Sequence, residues 1–410
     1  MKQLNITDLQ VLNKQFGDGF YILDSDVFLK NYKNLTEVFK KHYSNFTIAY
    51  SYKTNYIPKL GKIVNEQGGF AEVVSEMELE IAKKSGVPFE RIIWNGPIKN
   101  RAALDDFLLN GGCANIDNLD EWSHISALVD KNTEKTCNVG IRCNFDVGDG
   151  VLSRFGVDTD SADFITICKG IASKKNVNLT SVQCHFAKRN PAYWEKRTQT
   201  MLAIYDRLKS EFGLQAERID LGGALSGDMS EAFAKQIGAT SYGYKAFADA
   251  SAILVEEHFK NADFKPMLLI EPGTAVAADC MRVVFKVMNI KAVQNKSIAT
   301  VFGSQKNISM QGINPPMTVV HGTGELKEYT NLDFAGYTCI ESDYLYKGYS
   351  GKLAEGDFII LENCGSYSVV MKPPFILPNF PIIDISSGID KVERIKRSEY
   401  FDDLFSTYNF

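Results

Sequence analysis

Between residues 25 and 275 the sequence alternates eight short apolar runs with longer amphipathic stretches, and this alternation limits the possible folds more than any other feature. The runs are apolar throughout, which indicates parallel strands buried on both faces and joined by helices. Eight repeats predict a closed (β/α)8 barrel, and an open doubly wound sheet is the competing arrangement. The runs are FTIAY (46–50), GFAEVV (69–74), RIIWN (91–95), CANI (113–116), CNVGIRC (137–143), TSVQCH (180–185), RIDLGG (218–223) and MLLIEPG (267–273).

Helix signals separate these runs. The stretch SEMELEIAKKSG (75–86) begins with Ser and ends in Gly, which match the preferred residues at the two ends of a helix. The stretches KNRAALDDFLLNGG (99–112) and NPAYWEKRTQTMLAIYDRLKSEFG (190–213) repeat apolar residues at helical spacing and also stop at Gly. Strand and helix therefore alternate as a barrel requires.

The remainder of the chain has a different pattern. After residue 275 it is rich in β-prone runs joined by turns that contain Gly, Asn and Pro, which predicts a separate β-domain of the sandwich or barrel type. We assign 25–275 to the barrel, and 1–24 with 276–410 to the β-domain. The strand-like piece GFYILD (19–24) precedes the barrel and could pair with it. The β-prone runs are 281–303, 316–324, 333–341, 353–365 and 366–375.

Composition excludes several function classes. The 410 residues carry a formal net charge of -5, so the chain has no general attraction for nucleic acid or anionic membranes. No apolar run reaches the roughly 20 residues that span a bilayer, and the first residues lack the apolar core of a signal peptide. Eight scattered Cys without a CxxC pair and five dispersed His predict free thiols, a cytoplasmic protein and no metal site.

Chemically capable residues end four of the eight runs. Active sites of such barrels form at the carboxyl ends of the strands. Lys53 follows the first run, His185 ends the sixth, Gly222 and Gly223 end the seventh, and Glu271 belongs to the end of the eighth. A lysine can form a Schiff base with an aldehyde, and a glycine turn lets backbone N–H groups approach a phosphate. A glutamate beside a pyridine nitrogen keeps that nitrogen protonated, so together these are the parts of a pyridoxal phosphate (PLP) site.

Seven motifs, in one order along nearly the whole chain, resemble the fold-type III PLP enzymes. Within them the pattern is similar to the ornithine/diaminopimelate decarboxylases rather than to the alanine racemases. The resemblance implies the alanine racemase-like architecture, a PLP-binding barrel followed by a β-domain. The motifs are IAYSYKTN with Lys53, GFAEVVSEMEL with Glu72, VQCHFAKRN with His185, IDLGGALSG with Gly222 and Gly223, LLIEPGTAVA with Glu271 and Gly273, AGYTCIESDYL with Cys339, and ENCGSYS with Tyr367.

The resemblance also implies roles for the matched residues. Lys53 carries PLP as a Schiff base, with the acidic Glu72 near it. His185 stacks on the cofactor ring and Glu271 faces the pyridine nitrogen. Further cofactor contacts are implied for Gly222, Gly223, Gly273 and Tyr367, with the glycine loop and the tyrosine at the phosphate.

A homodimer with shared active sites is implied by the segment around Cys339. In the family this segment reaches the active site of the partner subunit, where Cys339 would deliver a proton to the α-carbon. Lys53 is the alternative proton donor. Either Glu341 or Asp343, which follow the cysteine, would contact the substrate.

Four positions depart from the family pattern. Ala187 and Lys188 replace the usual Gly and Ser after the histidine, so one phosphate hydroxyl is missing. Ala224 replaces the third glycine of the loop. Thr274 replaces the arginine after Glu-Pro-Gly, which in relatives serves the phosphate or the substrate carboxylate.

The predicted function is PLP-dependent removal of the α-carboxylate of an amino acid. Because of these departures, we rank two classes of substrate. An amino-acid moiety of a siderophore- or antibiotic-type intermediate comes first, and a housekeeping substrate such as ornithine, lysine or diaminopimelate comes second. An amino-acid racemase uses the same lysine and is a further alternative. A binding homologue without catalysis is the non-enzyme alternative, against which the retained Lys53, His185 and Glu271 argue.

Overall fold

The computed structural model describes residues 2–227, 229–237 and 240–410. Its strands are β1 (Gly19–Leu23), β2 (Phe46–Ser51), β3 (Phe70–Val73), β4 (Ile92–Trp94), β5 (Cys113–Ile116), β6 (Cys137–Asn144), β7 (Val157–Asp158), β8 (Val177–Gln183), β9 (Arg218–Asp220), β10 (Met267–Ile270), β11 (Met281–Val293), β12 (Lys296–Val301), β13 (Met317–Val320), β14 (Lys327–Ala335), β15 (Tyr344–Leu353), β16 (Phe358–Leu361), β17 (Ile382–Asp384) and β18 (Glu393–Lys396).

The α-helices are α1 (Ile6–Phe16), α2 (Ser25–Lys40), α3 (Pro58–Glu66), α4 (Glu76–Lys84), α5 (Arg101–Leu109), α6 (Leu119–Lys131), α7 (Ala162–Ser173), α8 (Pro191–Phe212), α9 (Glu231–Gln236), α10 (Gly243–Asp249), α11 (Ala252–Phe259), α12 (Thr274–Ala277), α13 (Ser368–Met371) and α14 (Phe401–Phe405). Short 3-10 turns lie at Phe89–Arg91, Ala278–Cys280, Gln305–Asn307 and Ile389–Lys391.

Eight parallel strands close into a barrel. Their order is β5-β4-β3-β2-β10-β9-β8-β6, and β6 pairs with β5 to complete the ring, with Ala114 opposite Val139. The short β7 pairs with β6 as an addition. Each apolar run of the sequence supplies one barrel strand, so the predicted closed barrel is confirmed over an open sheet.

Local sequence explains the helices between these strands. The hydroxyl of Ser75 accepts a hydrogen bond from the backbone N–H of Glu78 and so caps α4, as its position before the apolar repeat predicts. Helix α8 ends at Gly213 in the left-handed conformation that glycine favours. The strands are buried along most of their length. Each fully buried large apolar side chain contributes about 1.5–3 kcal/mol to stability.

A second set of strands forms the β-domain. Its sheet runs β15-β14-β12-β11-β1-β17-β18, with β16 pairing β11 and β13. Strand β1, which contains most of GFYILD, pairs antiparallel with β11 and parallel with β17. The expected pairing of this piece with the barrel is therefore wrong. Its apolar side chains join a core with helix α1, in which Leu9, Leu12 and Phe20 are fully buried.

One predicted strand of the β-domain is wrong. In the run 366–375 the chain forms the helical turn α13, preceded by Tyr367 at φ 62°. A non-glycine residue at positive φ breaks an extended strand, and the β-prone composition gives no sign of it. Conversely, β15 lay outside the predicted runs because Gly348 and Gly351 interrupt its apolar pattern.

The contacts divide the chain into two units. One contains Tyr32–Ser226 and Tyr242–Ala275, and the other contains Met1–Asn31, Gly227–Ser241 and Val276–Phe410. We predicted that residues 25–31 and 227–241 belong to the barrel, whereas this division places them in the unit that contains the β-domain. The hydroxyl of Ser25 donates to Asp384 at 2.6 Å, and Gln236 exchanges two hydrogen bonds with Asn314, which ties both segments to the β-domain. In the described residues no helix is both long and apolar enough to cross a membrane.

Candidate active site at the strand ends of the barrel

A pocket of about 300 Å³ opens where the barrel strands end. Four of the residues singled out from the sequence line it, namely Lys53, Glu72, His185 and Glu271. They come from different strand ends but meet because all eight strands are parallel and their carboxyl ends lie at one mouth. The volume lies at the lower end of the range for small-molecule sites.

Lys53 forms an ion pair at this mouth. Its Nζ lies 2.6 Å from Oε2 of Glu72, which also accepts the hydroxyl of Ser51 at 2.5 Å. The Glu72 side chain is fully buried, while a third of the lysine side chain is exposed. Burial opposes ionisation of Glu72, but the charge and hydrogen bonds of Lys53 outweigh it and lower the pKa of that carboxyl. The carboxylate therefore fixes the lysine amine at the pocket wall.

Glu271 is a second buried acid of the pocket, and its pKa shifts in the opposite direction. Its Oε1 accepts the side-chain amides of Asn95 at 2.7 Å and Gln183 at 3.1 Å. Burial first, and then the negative charges of Asp220 and Glu72, raise its pKa well above the ordinary value. Burial therefore favours the protonated form of this carboxyl. Asn95 also donates to Glu72 at 3.0 Å, so one amide connects the two acids.

Asp220 is a third buried acid in this group. It ends β9, is fully buried, and its Oδ1 accepts the backbone N–H of Gly222 at 2.9 Å. Burial is the main reason that its pKa is raised from 3.8 to about 7, although the Gly222 hydrogen bond opposes the shift. The pKa of this carboxyl therefore lies near neutral pH.

This shift predicts a pH-dependent stability that Asp220→Asn removes. Between about pH 4 and about pH 7 the folded chain retains a proton on Asp220 that the unfolded chain has lost. The free energy of unfolding therefore falls as pH rises through this window. We expect the thermal midpoint of the cofactor-free protein to fall from about pH 5 to about pH 8, and to fall less in Asp220→Asn. Parallel melting curves for the two proteins would contradict the shift.

His185 is neutral. Its Nδ1 accepts the backbone N–H of Gly223 at 2.9 Å, which leaves the proton on Nε2. Burial, followed by the charges of Lys53 and Arg142, lowers its pKa well below the ordinary value. The ring is thus an uncharged plane facing the pocket, held by a backbone bond to the glycine turn.

The glycine turn after β9 can be built only by small residues. Gly222 has φ 69°, and a Cβ there would collide with the carbonyl oxygen of Cys184. Ala224 also has φ 69°, so the loop keeps the left-handed conformation where the third glycine is replaced. Gly273 after β10 packs against Thr54, whose hydroxyl occupies the space of a Cβ.

Two side chains of helix α8 donate hydrogen bonds to the backbone of this turn. Nη1 of Arg197 donates to the carbonyl oxygens of Leu221 at 2.6 Å and Gly223 at 3.2 Å, and Nε1 of Trp194 donates to that of Ala224 at 3.2 Å. Arg197 is fully buried and its guanidinium stacks on the Trp194 ring. The helix therefore fixes the carbonyl groups of the turn, while the N–H groups of Gly222 and Gly223 donate to Asp220 and His185.

The comparisons with known proteins agree with this geometry. The family described as "Pyridoxal-dependent decarboxylase, pyridoxal binding domain" matches residues 29–278. This chain belongs to the pyridoxal-dependent decarboxylases. It is 25% identical to diaminopimelate decarboxylase of Methanocaldococcus jannaschii, over 96% of this chain and 92% of the relative. It is 26% identical to the L-glutamyl-[BtrI acyl-carrier protein] decarboxylase of Niallia circulans, over 98% and 96% of the two chains.

Solved structures give the same fold. The crystal structure of the diaminopimelate decarboxylase from M. jannaschii superimposes with a TM-score of 0.86 at 23% identity, over 98% of this chain and 94% of that one. The crystal structure of the Helicobacter pylori enzyme complexed with L-lysine gives 0.80 at 19% identity, over 97% and 98% of the two chains. The barrel with a second β-domain is therefore the architecture of this decarboxylase family.

The residues of this decarboxylase fit PLP. The pocket offers an amine at Lys53, a neutral ring at His185 and, at Glu271, a buried acid whose pKa is raised. The Gly222 turn packs so closely on Cys184 that it accepts only glycine at this position. PLP is therefore the cofactor, whereas the individual contacts predicted for these residues stay predictions.

The residues predicted in the β-domain have defined surroundings there. Cys339 and Glu341 are exposed, and Tyr367 is half-buried before α13. Asp343 is only 3% exposed, and hydrogen bonds occupy both carboxylate oxygens. These come from the backbone N–H of Gln305 at 2.8 Å, from Ser304 Oγ at 3.0 Å, and from the Thr338 hydroxyl at 2.6 Å and its backbone N–H at 3.3 Å. Between the two predicted substrate acids, Glu341 therefore has the more available carboxylate.

Sequence reasoning missed Gln183, Asp220 and Arg142. It named Asn95 only as a residue after the third run, and it predicted an ion pair for Arg154 near the site or across the dimer. Asn95 and Gln183 donate to Glu271, and Arg142 and Arg154 line the pocket. The available signal was a polar residue at or just beyond the end of an otherwise apolar run. Such a residue is costly to bury unless it has a partner, which makes it a candidate for a shared network.

Proposed function

We propose that this decarboxylase removes the α-carboxylate of a free amino acid with a charged distal group, with diaminopimelate as the leading candidate. The observation that carries the proposal is the ion pair of Lys53 with Glu72 at a pocket shared with His185 and buried Glu271. Diaminopimelate decarboxylases of several organisms match this chain over most of its length. This reverses the order expected from sequence, in which a specialised substrate stood first.

Each residue of the pocket has a part in the proposed reaction. Bound PLP supplies an electron sink for the pair left at Cα when the carboxylate departs. Lys53 would hold the cofactor through its amine, and Glu72 keeps that lysine in place. His185 would lie against the cofactor ring as a neutral plane, and Glu271 would support a proton at its nitrogen. Cys339 of the partner subunit in a homodimer, or Lys53, returns a proton to Cα.

The charges around the pocket support a substrate with a distal carboxylate. Arg142 and Arg154 both lie against the ring of Phe155, at 4.8 Å and 4.2 Å from its centroid. Guanidinium groups suit carboxylate recognition because they donate in a planar fork. A distal amine would then be met by Glu341 of the partner subunit, as the resemblance implies. Diaminopimelate carries both groups at its far end.

An amino-acid moiety of a conjugate is the second candidate. The relative from N. circulans acts on a glutamyl group carried by an acyl-carrier protein, and it is as similar in sequence as the diaminopimelate decarboxylases. Thr274 and the altered residues after His185 support this alternative, because they depart from the family pattern.

A substrate panel tests the proposal. We expect purified protein loaded with PLP to release CO₂ from meso-diaminopimelate, with kcat/KM at least about tenfold above those for lysine, ornithine and glutamate. In D₂O the product should carry one deuterium at the former α-carbon. Loss of optical rotation without CO₂ would identify a racemase instead. Release only from glutamyl-carrier or citrate–amino-acid conjugates would establish the specialised candidate.

A further inference from the structure

The phosphate side of the cofactor site lacks two expected groups. By the family resemblance, a hydroxyl is expected at position 188 and an arginine at position 274, where this chain has Lys188 and Thr274. Barrels commonly bind phosphate at the loops after their seventh and eighth strands, which here are the Gly222 turn and the Gly273 turn. Backbone N–H groups alone leave a phosphate dianion without a cation.

Arg189 reaches the second of these turns. It lies in the loop between β8 and α8, and its Nη2 donates to Oγ1 of Thr274 at 3.3 Å. Thr274 directly follows Gly273, so the guanidinium of Arg189 lies beside the turn after the eighth barrel strand. The side chain is half-buried, as expected for a group at the wall of a site rather than in open solvent.

Three other cations of the barrel mouth have partners, and Arg154, which lines the pocket, lies against the ring of Phe155. Lys53 pairs with Glu72, and Arg197 donates to backbone carbonyl groups beneath the glycine turn. Arg142 lies 3.9 Å from the carboxylate of Asp117. In the part of the chain that the structure describes, Arg189 makes no ion pair, so its positive charge is available to an anion.

We propose that Arg189 supplies the guanidinium that binds the phosphate of PLP, in place of the arginine that would otherwise occupy position 274. The hydroxyl of Thr274 orients it through the hydrogen bond to Nη2. An arginine contributes two parallel N–H donors to a phosphate, which a lysine cannot reproduce. The arginine that is missing from the turn after the eighth barrel strand is thus replaced by Arg189, which comes from the loop after the sixth barrel strand.

Cofactor binding without turnover tests this role. We expect Arg189→Gln to raise the Kd of the cofactor-free protein for PLP by about tenfold to a hundredfold, since one charge-assisted interaction is lost. The Kd for pyridoxal, which has no phosphate, should stay unchanged. Installing the family residue in Arg189→Gln/Thr274→Arg should restore PLP affinity. Lys188→Gln removes the neighbouring exposed cation and should leave PLP affinity near that of the parent.

Three outcomes would overturn the proposal. Equal weakening of PLP and pyridoxal would mean that Arg189 only supports the local structure. An unchanged Kd for PLP with a raised KM for substrate would assign Arg189 to the substrate carboxylate. A loss in Lys188→Gln instead of Arg189→Gln would give the role to the neighbouring lysine. If Arg189→Gln melts early, Arg189→Lys keeps the charge and should lie between parent and glutamine in PLP affinity.

Discussion

Lys53→Ala should abolish turnover, lowering kcat by at least about a thousandfold, because the variant loses the amine that carries the cofactor. The visible absorbance of the lysine-bound cofactor should disappear with it. Glu72 would then lie fully buried without its cation, so we expect its carboxyl to take up a proton, since burial already opposes its ionisation. The variant should fold, because Lys53 is a third exposed and lies beyond the end of β2.

Covalent mapping separates this prediction from simple damage to the pocket. Borohydride reduction of the PLP-loaded parent, followed by peptide mass spectrometry, should locate the cofactor on residue 53. Ser51→Ala is a matched control, because it removes another hydrogen bond to Oε2 of Glu72 and keeps the lysine. It should retain the label. Labelling of a different lysine in the parent, or turnover in Lys53→Ala near the parental rate, would remove the basis of the proposed mechanism.

The barrel was predictable because its strands are buried on both faces. A parallel strand of this kind is apolar throughout, so each of the eight runs was recognisable without knowledge of its neighbours. Lys53, His185 and Glu271 were recognisable for a related reason. Each comes at the end of such a run, and the fold class alone brings strand ends to one mouth.

The polar network beneath these residues was not predictable in the same way. Asn95 donates to both Glu72 and Glu271, and this pairing depends on which side chains point into the barrel at the same level. Neither the composition of the runs nor their spacing defines those levels. The raised pKa of Asp220 likewise arises from burial beside two other acids, which are distant in sequence.

Arg189 and Tyr367 show two further limits of sequence reasoning. Arg189 belongs to a loop, and its contact with Thr274 joins positions 85 apart in the chain. The left-handed backbone of Tyr367 turns a β-prone stretch into a helical turn, and the positive φ falls on this tyrosine rather than on the nearby Gly365. In both cases the decisive contact or dihedral angle is set by packing and not by local propensity.

Glu271→Gln should lower kcat by about a hundredfold to a thousandfold while leaving the cofactor attached. Burial and the charges of Asp220 and Glu72 raise the pKa of the parent carboxyl. With PLP bound, the carboxylate would stabilise a protonated ring nitrogen, which makes the ring an electron sink and which a neutral amide cannot do. Oε1 of glutamine can still accept from Asn95 and Gln183, so the pocket should keep its shape.

Measuring both cofactor attachment and CO₂ release distinguishes the effect of Glu271→Gln from that of Lys53→Ala. Absorbance and borohydride labelling should both show cofactor on Lys53 in Glu271→Gln, while single-turnover CO₂ release becomes slow. Glu271→Asp keeps an acid but shortens its reach to Asn95, so its rate should lie between those of the parent and the glutamine variant. If Glu271→Gln kept more than about a tenth of the parental kcat, electrostatic support of the ring nitrogen by this residue would contribute less than about 1.4 kcal/mol to catalysis. The electron sink would then depend on another group, and the buried trio of acids would be a feature of stability alone.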